Sequence, residues 1–228
     1  MTRTKTFYCN ALYENCHAVS AEGTCVLIDP GFDGPDELSG LYDYLRSGNL
    51  TPAAILLTHA HPDHIVSAGV LQRKYGIPVY MSAAEEAVLA ANGRLAAIFG
   101  TELPPIDPFD YTPVADGDTL QFGPAAGLCF RAIATPGHTP GGICWYDEAD
   151  GLLFSGDTLF AGTIGRTDLP LGEYDDLIRS VMEKIMILPG ETEVYPGHGP
   201  STGISEERTC NPFLQPFNEP EPETENQF

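Results

Sequence analysis

A chain of 228 residues, 43% hydrophobic, is long enough to bury one large core or two small ones. Its 32 Asp and Glu against 11 Lys and Arg leave a net charge of −21, which argues against phosphate backbones and anionic membranes as partners. The six cysteines (Cys9, Cys16, Cys25, Cys129, Cys144, Cys210) form no C-x-x-C pair and read as small buried hydrophobes. Met1 to Asn10 lacks the apolar core of a signal peptide and no apolar run is long enough for a bilayer, so a cytoplasmic location is expected.

Taken in order, Thr6–Cys9, Cys16–Ser20 and Cys25–Asp29 have the composition of short strands, the third closed by the turn residues Asp29-Pro30-Gly31. Pro35-Asp36 opens a helix to Arg46 with Leu38, Leu41, Tyr42 and Leu45 on one face. A buried strand over 53–57 leads into a histidine-rich loop, and a helix is expected from His64 to Tyr75, where Gly76 stops it. Ile77–Met81 is the next strand, and Ser82 caps a helix with Glu85-Glu86 near its start that extends to Ala91. Residues 92–113 have no clear period, and Pro104, Pro105 and Pro108 favour loop in their second half. Strands follow at Thr119–Phe122, Leu128–Ala134, Ile143–Tyr146 and Leu152–Ser155, then a helix over Tyr174–Ile187 and a strand at Glu193–Tyr195. In both halves strands end in loops carrying His or Asp, which hints at an internal duplication. From Gln215 the composition turns acidic and Pro-rich, so residues 1–214 are read as one domain and 215–228 as a disordered tail.

The chemistry concentrates in Thr58-His59-Ala60-His61-Pro62-Asp63-His64, which holds three of the six histidines beside a carboxylate. In extended backbone, residues two apart point the same way, so His59, His61 and Asp63 can face one point, and His64 can approach from the helix start. Imidazoles and a carboxylate converging in this way suit a borderline transition metal. Three further strand ends carry one such side chain each in a Gly/Pro-rich turn: His138 in Thr135-Pro136-Gly137-His138-Thr139-Pro140-Gly141, Asp157 in Ser155-Gly156-Asp157-Thr158, and His198 in Pro196-Gly197-His198-Gly199-Pro200.

In this order, H-x-H-x-D-H, T-P-G-H-T-P-G, S-G-D-T-L-F and P-G-H-G resemble the metallo-β-lactamase-fold hydrolase superfamily over about residues 5–213. Gly156–Phe160 with Gly165-Arg166-Thr167-Asp168 is similar to its glyoxalase II (hydroxyacylglutathione hydrolase) group, and Gly197–Pro200 with Glu206-Glu207-Arg208 and Asn211-Pro212-Phe213 resembles that group's short, single-domain bacterial branch. The resemblance implies an αββα four-layer sandwich of two mixed sheets. It implies a first metal on His59, His61 and His138, a second on Asp63, His64 and His198, and Asp157 bridging the two. Seven ligands exceed one tetrahedral ion but suit a pair about 3.5–4 Å apart. Zinc, iron and manganese all accept such donors, with zinc the expectation.

The implied activity is a thioesterase reaction in which a metal-bridging hydroxide attacks the acyl carbonyl, with Asp63 and Asp157 as catalytic carboxylates. The expected substrate is a small anionic acyl thioester such as S-lactoylglutathione, with Arg166 as its contact; the other reading of Arg166 is an ion pair with Asp168. Asp29 matches the superfamily's first motif and either steadies the histidine loop or stabilises its own turn. Two departures are visible. The fullest glyoxalase II enzymes grip glutathione with basic residues of a C-terminal helical domain, whereas Arg208 is the one basic residue after His198. Persulfide dioxygenase, a mononuclear iron oxidoreductase on the same fold, shares H-x-H-x-D-H and a G-R-T-D segment but ends differently at residues 196–200. Lactonases of the same fold are the remaining alternative, while a true β-lactamase would lack the bridging carboxylate that Asp157 matches.

Overall fold

The alternation of apolar residues decides the layering. In Cys25-Val26-Leu27-Ile28, Cys25 and Leu27 face one way and Val26 and Ile28 the other, as the two-residue strand period requires. Both faces are buried, so the strand must lie between two apolar layers. The computed structural model describes residues 2–99, 105–124 and 127–215 and shows how this is met.

The first sheet has the order β1-β2-β3-β4-β5-β6, formed by Arg3–Cys9, Glu14–Ala21, Thr24–Ile28, Thr51–Leu56, Val79–Met81 and Thr112–Pro113. Its first two pairings are antiparallel and the rest parallel. The second has the order β14-β13-β10-β9-β8-β7, from Thr119–Phe122 (β7), Leu128–Ala134 (β8), Ile143–Asp147 (β9), Leu152–Gly156 (β10), Glu193–Pro196 (β13) and Thr202–Gly203 (β14). In it only β10 and β13 run parallel. A small hairpin of Leu159–Phe160 (β11) and Thr163–Ile164 (β12) follows β10.

Three clusters of buried side chains give the four layers. Val19, Val26, Ile28 and Leu56 of the first sheet meet Phe130, Ile143, Trp145 and Phe154 of the second, forming the central layer. Trp145 donates its indole N–H across this layer to the Leu57 carbonyl at 3.1 Å, so the largest buried side chain leaves no donor unpaired. The outer face of the first sheet packs on the helices Gly34–Ser47 (α1), Ala68–Tyr75 (α3) and Glu86–Phe99 (α4) through Leu41, Leu71 and Leu95. The outer face of the second packs on Tyr174–Ser180 (α5) and Ile204–Cys210 (α6) through Leu177 and Ile204. The protein is therefore the expected αββα sandwich of two mixed sheets. In each sheet an antiparallel pair is followed by a helical crossover to a parallel strand: β2–β3 then α1 and β4, β9–β10 then α5 and β13.

Several elements differ from the sequence expectation. The helix expected over 64–75 is two pieces, Pro62–Ile65 (α2) and α3. Between them Ser67 donates both its N–H (3.0 Å) and its hydroxyl (2.8 Å) to the Pro30 carbonyl, which stops a continuous helix and fixes α2 against the Asp29 turn. Ser82 does cap its segment, its Oγ accepting the Ala84 N–H at 3.3 Å, but the first turn, Ala83–Glu85, is a 3-10 turn and the helix runs on to Phe99. The helix expected to Ile187 ends at Ser180 and continues as a π turn, Val181–Ile185. Helix α6 was not expected. Cys9, Cys16, Cys25 and Cys144 are buried free thiols as anticipated, whereas Cys210 is exposed. The tail expected over 215–228 lies, apart from Gln215, outside the described residues. No helix among the described residues is long and apolar enough to cross a membrane.

Candidate metal centre

All seven side chains expected at the site are brought together, at the carboxyl ends of β4, β8, β10 and β13. His59 and His61 leave the end of β4 in extended backbone, and Pro62 starts α2, so that Asp63 and His64 fall in its first turn. Asp157 follows Gly156, whose φ of +49° and contact with the Thr58 hydroxyl exclude a side chain there. His138 and His198 project from the turns after β8 and β13.

Two clusters match the expected sets, and a third group, Asp29 with His59 and His64, overlaps both. His59 Nε2 lies 3.1 Å and His138 Nε2 3.0 Å from His61 Nδ1. The nitrogens of a tetrahedral zinc site, with bonds near 2.05 Å, stand about 3.3 Å apart, so this spacing fits one ion. The second cluster is Asp63, His64 and His198, with His198 Nε2 3.3 Å and His64 Nε2 3.8 Å from Asp63 Oδ2. Asp157 lies between them: its Oδ2 is 3.5 Å from His138 Nε2, and its Oδ1 is 3.5 Å from His64 Nε2. Among the described residues, the buried atoms His64 Nε2 and Asp157 Oδ1 have no hydrogen-bond partner. Such atoms cost free energy unless an ion completes them, and this donor set suits one.

Neighbouring groups orient the rings. The Thr58 hydroxyl donates to Asp29 Oδ2 at 2.5 Å and therefore accepts the Nδ1 proton of His59 at 3.0 Å. His64 donates Nδ1–H to Asp29 Oδ2 at 3.0 Å, His138 to the Arg166 carbonyl at 2.7 Å, and His198 to the Leu12 carbonyl at 3.2 Å. All four rings thus turn Nε2 toward the centre, where the neutral ring presents its lone pair. Asp29 adopts φ +48°, unusual outside glycine, to reach both Thr58 and His64. Its side chain contacts the histidine loop, while in its own turn the backbone carbonyl accepts the Gly31 N–H at 3.0 Å.

Three contributors were invisible in the sequence. Asn10 donates Nδ2–H to the Gly31 carbonyl (2.9 Å) and the Asp63 carbonyl (3.0 Å), tying the β1–β2 turn to α2. Glu14 is fully buried, 3.8 Å from His64, and burial, with the acidic groups Cys9, Asp29, Asp63 and Asp157 adding to it, pushes its carboxyl well up. Glu85, also fully buried, accepts the Ala60 N–H. No local pattern marks these contacts, because they span 21 to 56 residues of sequence.

The two clusters differ electrically. Burial, then the neighbouring imidazoles, push His59 well down, and burial and His138 push His61 down to about 3. Burial would also lower His64, but Asp157, Asp63 and Asp29 outweigh it and push the imidazole up to about 10. Burial by itself would raise Asp157, yet His198, His64 and His138 hold it below the usual carboxylate range. The three-histidine cluster is neutral and metal-ready, and the second is a charged network that an ion must displace.

A cavity of about 340 Å³ opens onto His61, Asp63, His138, Asp157 and His198. Its other walls are largely apolar: Leu12, Phe160, Ile164 and Leu169. Arg166 stands at its edge, its guanidinium paired with Asp168 through Nε (2.7 Å) and Nη2 (2.8 Å).

The Metallo-beta-lactamase superfamily model matches residues 9–198. A relative described as a probable metallo-hydrolase, YqgX of Bacillus subtilis (strain 168), is 38% identical over 90% of this chain and 93% of its own. Hydroxyacylglutathione hydrolase GloC of Haemophilus influenzae (strain ATCC 51907 / DSM 11121 / KW20 / Rd) is 35% identical over 90% and 94%. Among solved structures, BLEG-1 B3 metallo-beta-lactamase superposes with a TM-score of 0.82 at 36% identity, over 93% of this chain and 99% of its own. TTHA1623 in a di-iron-bound form superposes with a TM-score of 0.81 at 37% identity, over 92% and 100%.

Proposed function

Because the chain belongs to the metallo-beta-lactamase superfamily, we propose that it is a binuclear metal-dependent hydrolase of the hydroxyacylglutathione hydrolase type, acting on small acyl thioesters. The observation that carries this reading is Asp157, whose carboxylate lies 3.5 Å from His138 of one cluster and 3.5 Å from His64 of the other, with its Oδ2 also 3.8 Å from His198, as a carboxylate shared by two ions would. His59, His61 and His138 would hold one divalent ion and Asp63, His64 and His198 the other; zinc is the first expectation, and the di-iron form of TTHA1623 keeps iron beside it. Bound there, two such ions supply a water acidified to a pKa of about 7 and an electrophile for the carbonyl oxygen.

The chain's own residues do the rest. The Nδ1 hydrogen bonds of His59, His64, His138 and His198 fix four of the five imidazoles before any ligand arrives, which limits reorganisation. The apolar walls from Leu12, Phe160, Ile164 and Leu169 exclude water from the acyl group. A thiolate leaves without a strong general acid, since its pKa is about 8.5, in keeping with the absence of Lys, Tyr or a further His among the lining residues. Arg166 at the cavity edge is proposed to meet the anionic part of the substrate, S-lactoylglutathione being the first to try. The relative named GloC supports the thioester, and BLEG-1 makes a β-lactam the necessary control.

The test combines metal analysis with hydrolysis of S-lactoylglutathione, other acyl thioesters and a β-lactam. About two metals per chain and thioester hydrolysis abolished in Asp157→Asn are expected. Full activity in that variant refutes the shared carboxylate. One iron per chain with oxygen uptake on a glutathione persulfide would replace the hydrolase reading.

A further inference from the structure

Glu85 lies on the 3-10 turn before α4, outside both ligand sets, and is fully buried. Its two carboxylate oxygens each hold one backbone amide. Oε2 accepts the Ala60 N–H at 2.7 Å, between His59 and His61, and Oε1 accepts the Gly141 N–H at 2.7 Å, in the turn that carries His138. The first turn follows a strand of one sheet and the second a strand of the other. A Cβ at Gly141 would come within 2.8 Å of Glu85 Oε1, so the missing side chain is what lets this turn close on the carboxylate.

We propose that Glu85 is a positioning residue that sets the separation of the His59/His61 and His138 turns, and through it the geometry and affinity of the three-histidine cluster alone. A carboxylate is a rigid fork, so two short bonds to two amides fix the distance between the turns. The 3.0 Å approach of His138 Nε2 to His61 Nδ1 depends on that distance, because the two nitrogens come from different turns. Asp63, His64 and His198 receive no bond from Glu85 among the described contacts; His64 is held by Asp29 and His198 by the Leu12 carbonyl. The inference rests on the two-metal reading above.

The test is binding of cobalt(II) to Glu85→Gln, read by its visible absorption and by dialysis, in two backgrounds. His198→Ala leaves the three-histidine cluster, and His61→Ala leaves the other. In glutamine one oxygen is replaced by a donor that opposes an N–H, so one of the two amides loses its acceptor. Affinity should fall about 10–100-fold in the first background, the range for residues that orient ligands, with an altered cobalt spectrum, and stay within about twofold in the second. In the metal-free protein, the Ala60 or Gly141 amide should exchange its hydrogen faster. Glu85→Asp, which keeps the charge and shortens the arm, is read the same way should Glu85→Gln fail to fold. Equal losses in both backgrounds, or none in either, overturn the proposal. If the parent protein takes up no metal on His59, His61 and His138, the two-metal reading itself fails.

Discussion

Asp29 and His64, 35 residues apart, share a buried hydrogen bond of 3.0 Å from the imidazole Nδ1 to the carboxylate Oδ2. The same oxygen accepts the Thr58 hydroxyl, whose own oxygen receives the His59 proton. One carboxylate at the end of β3 thereby sets the tautomers of two rings that serve different clusters.

Asp29→Asn tests that relationship at nearly constant shape. An amide nitrogen facing His64 Nδ1 forces the ring to the opposite tautomer and takes the Nε2 lone pair from the centre. Metal affinity of the Asp63/His64/His198 cluster should fall by about 10–100-fold, the range for residues that orient ligands, with a smaller loss on the His59 side. Calorimetric titration of the metal-free variant reads this; unchanged affinity at both clusters would remove Asp29 from the centre.

Proton release should distinguish the clusters. His61, pushed down to about 3, is neutral at pH 8, whereas His64, pushed up to about 10 chiefly against burial by Asp157 and Asp63, carries a proton that an ion must displace. Filling the second cluster should therefore release about one proton more than filling the first, measured in buffers of different ionisation enthalpy. Its affinity should weaken about tenfold per pH unit below that pKa. The sign for stability is the reverse. In the metal-free protein the raised His64 contributes stability that is complete below pH 6.5 and lost as pH rises through about 10. His61 acts in the other direction, costing stability as pH falls below 6.5.

Arg166 has two separable parts. Its carbonyl holds His138 and is indifferent to the side chain, while its exposed guanidinium pairs with Asp168 and the residue is among those lining the cavity. Arg166→Ala should raise KM for S-lactoylglutathione several-fold, as expected for loss of an exposed charge contact of about 1 kcal/mol, and leave kcat within about twofold. An unchanged KM returns the guanidinium to a plain ion pair with Asp168.

The ligand loop was legible because its information is local. His59 and His61 follow β4 two residues apart and meet in one cluster as expected, the Gly/Pro turns around His138, Asp157 and His198 each present one side chain, but Pro62 starts a helix that takes Asp63 off the expected strand face and into the other cluster. Of what surrounds those ligands, Asp29 was anticipated and the rest was not. Asn10, Glu14 and Glu85 carry no motif, and Glu85 at the start of α4 looks like an ordinary acidic first-turn residue until the fold turns it inward onto Ala60 and Gly141. The break at Ser67 was hidden too, since the Pro30 carbonyl that captures it lies 37 residues away.

The amino-acid order by itself determined most strands and the candidate donors, because strand alternation and turn chemistry act over two to seven neighbouring residues, while the four layers were implied by the motif resemblance. Only the tertiary structure decided that the seven side chains, whose grouping the motif resemblance already implied, divide electrically into a neutral three-histidine cluster and a charged one beside Asp157. That division depends on distances between loops of two different sheets, and on burial, which moves His61 and His64 in opposite directions although they are three residues apart.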